Sequence, residues 1–108
     1  MSAVKELVKK IVADNKVAVF SKTYCSFSIR AKDLFDDLQV DYKAIELNEH
    51  PEGDAIQSSL TELTKQSTVP NIFINQQHIG GCSDLQAAHS SGKLLKLLKE
   101  AGISVKDF

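Results

Sequence analysis

The chain has 108 residues, 43% of them hydrophobic and 25% charged, with a formal net charge of -1. That is enough sequence for one domain with one core, so residues 1–108 are read as a single unit. The near-zero charge gives no reason to expect nucleic acid or a membrane surface as a partner, and no apolar run is long enough to span a bilayer.

Met1 to Lys10 mixes Lys5, Glu6, Lys9 and Lys10 with spaced apolar residues, unlike the continuous core of a signal peptide. Val4, Leu7, Val8, Ile11 and Val12 recur at helical spacing and predict a first helix ended by Asp14-Asn15. Val17 to Phe20 is a short apolar run, read as a buried strand. Ser21 to Tyr24 is a polar loop. Ile29, Leu34, Phe35 and Leu38 predict a second helix from near Ser26. Tyr42 to Leu47 reads as a second strand. Pro51 and Glu52 open a third helix, since proline suits a first turn, with Ile56, Leu60 and Leu63 inward.

Pro70 precedes a third strand, Asn71 to Ile74. The chain turns at Asn75-Gln76-Gln77 and returns through His78-Ile79 until Gly80-Gly81 breaks the strand. Ser83-Asp84 reads as the N-cap of a helix through Ala88. Gly92 is a natural C-cap, and Lys93 to Ala101 forms a last helix stopped by Gly102. The first two strands are joined through a helix and should be parallel; the last two share a short turn and should be antiparallel. The expected class is α/β, a small mixed four-stranded sheet with helices on both faces. Phe20, Phe35 and Phe73 are expected in the core. Arg30, Lys32, Lys93, Lys96 and Lys99 are expected on solvated helix faces, and His89 at the surface or as a cap.

Cys25 and Cys82 are the only cysteines. A disulfide-stapled secreted domain of this size carries about four or more, so the pair fits a reducing, cytoplasmic setting. There is no Cys-x-x-Cys, and His50, His78 and His89 are scattered, so no zinc site is expected.

Three segments could carry chemistry. Cys25 lies just before the second helix, where unpaired N–H groups and a partial positive charge favour a thiolate. Lys22 adds to that pull, and thiolate is the reactive form. The plain alternative is a buried inert cysteine. Thr68-Val69-Pro70 stands before a strand, where the residues alone favour a trans proline. In Gly80-Gly81-Cys82-Ser83-Asp84 the paired glycines expose backbone N–H groups and Ser83-Asp84 opens a helix, a place that can hold a carboxylate or an amine; the plain alternative is a strand-to-helix turn.

Together Ser21 to Cys25, Thr68 to Ile74 and His78 to Leu85 resemble the three signature stretches of glutaredoxins, in order and at the right separations. The element order over the whole chain resembles the thioredoxin-like fold. The resemblance implies that Cys25 is the nucleophile and that glutathione is the co-substrate. It implies that Lys22 and Gln66 hold the glycine-end carboxylate of glutathione. The backbone at Val69, in the Thr68-Val69-Pro70 stretch with a cis proline at Pro70, would pair with the cysteinyl part. Gly81, Cys82, Ser83 and Asp84 would receive the γ-glutamyl end, and Phe27 stands in for a tyrosine.

The commonest family site is Cys-Pro-Tyr-Cys, against Cys25-Ser26-Phe27-Ser28 here. Ser28 cannot form a disulfide with Cys25, so the expected cycle is a monothiol one. The Ser26 hydroxyl is expected to cap the helix or solvate the thiolate. The expected activity is removal of glutathione from glutathionylated proteins or small disulfides by a monomer. Two other readings follow from the resemblance: a dimer holding a [2Fe–2S] cluster on one Cys25 from each chain and two glutathiones, and a redox-inert glutathione-binding module. Cys82 is placed across the glutathione groove and is not expected to resolve Cys25.

Overall fold

The computed structural model describes residues 3–105. Its elements in chain order are α1 (Ala3–Asp14), β1 (Val17–Ser21), α2 (Ser26–Asp37), β2 (Lys43–Glu46), a 3-10 turn (Leu47–Glu49), α3 (Gly53–Thr64), β3 (Asn71–Ile74), β4 (Gln77–Gly80), α4 (Cys82–Ser91) and α5 (Lys93–Glu100). The strands form one sheet in the order β2-β1-β3-β4. β1 runs parallel to β2 and antiparallel to β3, and β3 to β4 is antiparallel.

β1 and β3 are buried on both faces, which is why they read as unbroken apolar runs. The two-residue strand period sorts them onto two cores. Val17, Val19, Ile72 and Ile74 pack with Phe35 of α2 and Leu38 just past its end, Leu85 of α4 and Leu94 and Leu98 of α5. Ala18, Phe20 and Phe73 pack on the other face with Val8 of α1 and Ile56 and Leu60 of α3. Phe20 and Phe73 meet edge-to-face, with ring centroids 6.0 Å apart.

Several expectations need correction. The inward stripe of α2 is Ser28, Ala31 and Phe35; Ile29 stands on the flank of that stripe and is 42% exposed. Leu63 is 41% exposed, because it sits in the last turn of α3, outside the packed cluster that holds Ile56 and Leu60. Pro51 and Glu52 form a turn, and α3 starts at Gly53. The β3–β4 connection is a two-residue turn at Asn75 and Gln76, both at positive φ, with Gln77 already paired to Ile74. The N-cap of α4 is Gly81 rather than Ser83-Asp84. Asp84 still serves the start of the helix, since its Oδ2 accepts the Gly81 N–H at 3.0 Å. Lys32 is not solvated: it pairs with Glu46 at 2.8 Å, and both side chains are less than one-fifth exposed. Glu46 also accepts from the buried Ser21 hydroxyl at 2.7 Å, so α2, β1 and β2 are tied together beside the end of β1.

Candidate active site

The parallel β1–β2 pair needs a crossover, and α2 supplies it on the face covered by α4 and α5. The helix therefore starts at the carboxyl end of β1, and Cys25 is its N-cap. The Cys25 N–H bonds the Lys22 carbonyl at 3.1 Å, closing a turn over residues 22–25. Asn48 braces that turn from the 3-10 segment: its Oδ1 accepts the Thr23 N–H at 3.0 Å and its Nδ2 donates to Thr23 Oγ1 at 2.8 Å.

Opposing influences set the acidity of Cys25. Burial is the largest and pushes the thiol up. It is outweighed by the Ser28 hydroxyl, the backbone N–H groups of Ser28 and Phe27, and the Lys22 ammonium, so the pKa falls below the ordinary thiol value. The Ser28 hydroxyl is wholly buried and makes no hydrogen bond among the described residues. Ionisation of Cys25 supplies an acceptor for it. Ser26, expected to play this part, is exposed, and no side chain caps α2.

Cys25 Sγ lies 3.8 Å from the Val69 carbonyl. The Val69–Pro70 peptide bond is cis, as the resemblance implied and against the expectation from the residues alone. Beside it runs a groove of about 430 Å³, a size that suits a small ligand. Phe27 lines it from α2, Gln66, Thr68, Val69 and Pro70 from the loop before β3, and Gly81, Cys82, Ser83 and Asp84 from the start of α4. The structure thus gathers most of the distant candidates around one groove; Cys25 and Lys22 are not in its lining, and Cys25 adjoins it through the Val69 carbonyl. A larger cavity, about 570 Å³, lies beside the start of β1 among Asp14, Lys16, Tyr42 and Ile103, with no thiol in its lining.

Gly80 has φ +121°, and a Cβ there would fall 2.3 Å from Asp84 Oδ2, so only glycine fits. A Cβ on Gly81 would meet Pro70 O at 3.6 Å and Gln66 Nε2 at 3.9 Å, which marks where the two groove walls approach. Cys82 is 5% exposed. Burial pushes its thiol up, Arg30 pulls it down, and the nearby Cys25 adds a further upward push, leaving it above the ordinary value. Arg30 itself lies over the exposed Phe27 ring, 5.7 Å from its centroid. The two thiols are thus driven apart, one toward reactivity and one away from it. Both cysteines are free. Among the described residues no group of three or more His, Cys, Asp or Glu side chains could hold a metal ion.

Sequence reasoning missed the Ser28 hydroxyl as a group in its own right. Its position three residues into the helix from Cys25, on the inward stripe, was the available signal. It also missed Asn48, for which the sequence carries no marker.

The glutaredoxin family model matches residues 17–79. A glutaredoxin of Solanum lycopersicum is 53% identical over 98 residues, covering 91% of each chain. The chloroplastic monothiol glutaredoxin-S12 of Arabidopsis thaliana is 48% identical over 101 residues, 93% of this chain and 56% of that protein. The crystal structure of the buckwheat glutaredoxin–glutathione complex superposes with a TM-score of 0.90 at 45% identity, over 92% of this chain and 90% of the other. The mixed four-stranded sheet with its helices is the thioredoxin-like fold of those structures.

Proposed function

The chain belongs to the glutaredoxin family, and from that premise we propose that it removes glutathione from mixed disulfides by a monothiol cycle through Cys25. At the general level it is a glutathione-dependent thiol oxidoreductase.

The observation that carries the finer reading is the pair of thiol environments. Cys25 is partly exposed at a helix N-terminus with its acidity raised, while Ser28 occupies the place of a second site thiol and Cys82 is buried with its acidity lowered. The Cys25 thiolate attacks the glutathione sulfur of a disulfide. A bond forms between Cys25 Sγ and that sulfur, the old S–S bond breaks, and the substrate leaves as a thiolate that takes up a proton. A second glutathione, as thiolate, attacks the glutathione sulfur on Cys25. This releases oxidised glutathione and restores the Cys25 thiolate. Both steps are thiol–disulfide exchange and need one protein sulfur.

The groove sets which sulfur is attacked. Lys22 meets the glycine-end carboxylate, the Val69 backbone the cysteinyl part, and Asp84 with the start of α4 the γ-glutamyl end. Gly81 keeps the groove open, Phe27 forms its outer edge, and the protein works as a single chain in the cytoplasm. The buckwheat relative in complex with glutathione supports the ligand. The test is Cys25→Ser in an assay with a glutathionylated peptide. Turnover is expected to vanish with the fold intact; retained turnover overturns the assignment.

A further inference from the structure

The groove wall from Lys65 to Pro70 belongs to no helix or strand. α3 ends at Thr64, Lys65 takes a left-handed φ of 66°, and β3 begins only at Asn71. Backbone ladders therefore do not hold this wall, and side chains must.

Thr64 Oγ1 donates to the Leu60 carbonyl at 2.7 Å, which uses its single proton. Toward its other neighbours it can only accept, and it does so from the Gln66 N–H at 3.1 Å and from Asn71 Nδ2 at 3.3 Å. That polarity orients the Asn71 amide, which is 1% exposed. With Nδ2 toward Thr64, Oδ1 faces His78 Nε2 at 2.9 Å, so His78 must be the donor there. The Phe73 ring, 5.2 Å from the imidazole, seats it from the side. Gln66 closes the chain at the groove: its Nε2 donates to the Thr68 carbonyl at 3.1 Å and to the Pro70 carbonyl at 2.9 Å. Both amide hydrogens of Gln66 thus go to the wall itself, and not to the glycine-end carboxylate that the resemblance assigned to Gln66 with Lys22.

We propose that Asn71 is a positioning residue: through Thr64 and Gln66 it holds the Thr68–Pro70 wall at the distance from Gly81 that glutathione requires. The inference rests on the glutathione reading above. None of the three side chains hydrogen-bonds Cys25 itself; the wall they hold meets the thiol only through the Val69 carbonyl, 3.8 Å from Cys25 Sγ, so the network bears first on binding. A buried network of this kind rigidifies what it connects only while each member is satisfied, and a pre-formed wall lowers the ordering cost of binding.

Asn71→Ala is expected to raise the KM for glutathione about three- to tenfold, the scale of one buried hydrogen bond. The kcat should change by less than the KM does. Thr64→Val should move the KM the same way, and the double variant should lose less than the product of the single effects. His78→Gln offers an amide donor to Asn71 and should retain a near-normal KM, whereas His78→Leu should not. His78 is exposed, so these two variants test the network even if the buried ones fold poorly. An unchanged KM in Asn71→Ala, equal KM values for His78→Gln and His78→Leu, or a loss confined to kcat overturns the inference. If the unaltered protein shows no glutathione-dependent turnover, the glutathione reading falls and the inference with it.

Discussion

Ser28→Ala separates reactivity from stability in this protein. The Ser28 hydroxyl is wholly buried and stabilises the Cys25 thiolate. A hydrogen bond to a charged acceptor is worth about 1.5–3 kcal/mol, and sulfur is a weak acceptor. Taking the lower end, about 1.5 kcal/mol, the loss moves the Cys25 pKa upward. Below that pKa the thiolate fraction falls about tenfold, but the more basic thiolate is intrinsically more nucleophilic, so the rate falls only about threefold.

Stability moves the other way. The Ser28 hydroxyl makes no hydrogen bond among the described residues, and while Cys25 is a thiol, removing a buried unpaired hydroxyl is expected to add about 1 kcal/mol at about pH 5. The folded pKa of Cys25 lies below its ordinary value. In the unaltered protein, therefore, stability rises as pH climbs through that folded pKa, and the gain is complete above the unfolded one. In Ser28→Ala the pKa is less depressed, so the gain is smaller and the variant's advantage shrinks with rising pH. Iodoacetamide alkylation against pH reads the first effect, and denaturant unfolding at low and high pH reads the second. Superimposable alkylation profiles, or a variant clearly less stable at low pH, refute the reasoning.

Lys22→Glu is expected to raise the pH at which Cys25 becomes reactive and to weaken glutathione binding, since one ammonium favours both the thiolate and a carboxylate. Alkylation against pH and the KM for glutathione check the two effects separately, and if neither moves Lys22 is only a surface lysine. Cys82→Ser is expected to leave turnover near normal, because Cys82 is buried and its thiol is pushed up. Mass analysis of the unaltered protein after mild peroxide should show no bond between Cys25 and Cys82; a quantitative one would reveal a second working thiol.

The elements were legible in chain order because each had a local cause. Unbroken apolar runs mark β1 and β3, and Gly92 ends α4 at φ +83°. What escaped was set by distant partners. Lys32 reads as a solvated lysine until Glu46, fourteen residues on, is brought to 2.8 Å by the parallel pairing of β1 with β2. Ile29 has the hydrophobicity of a core residue, but the small Ser28 and Ala31 hold the inward stripe where α2 meets the sheet. The site divided in the same way. Cys25 could be placed before a helix from local pattern alone. That Gln66, Pro70 and Gly81 face one groove came only through resemblance, because nothing local joins residues so far apart in sequence. The cluster-carrier reading leaned on Ser26, which is exposed on the first turn of α2, whereas the hydroxyl beside the sulfur is that of Ser28.

The central claim is that one sulfur, Cys25, carries glutathione between substrate and free thiol. It is tested most directly by mixing reduced protein with a glutathionylated peptide in the absence of free glutathione and weighing the products intact. The account predicts one glutathione on each chain, located on Cys25, with one equivalent of peptide thiol released and the adduct discharged when glutathione is added. An adduct on Cys82, a peptide–protein disulfide in its place, or no transfer at all would contradict it.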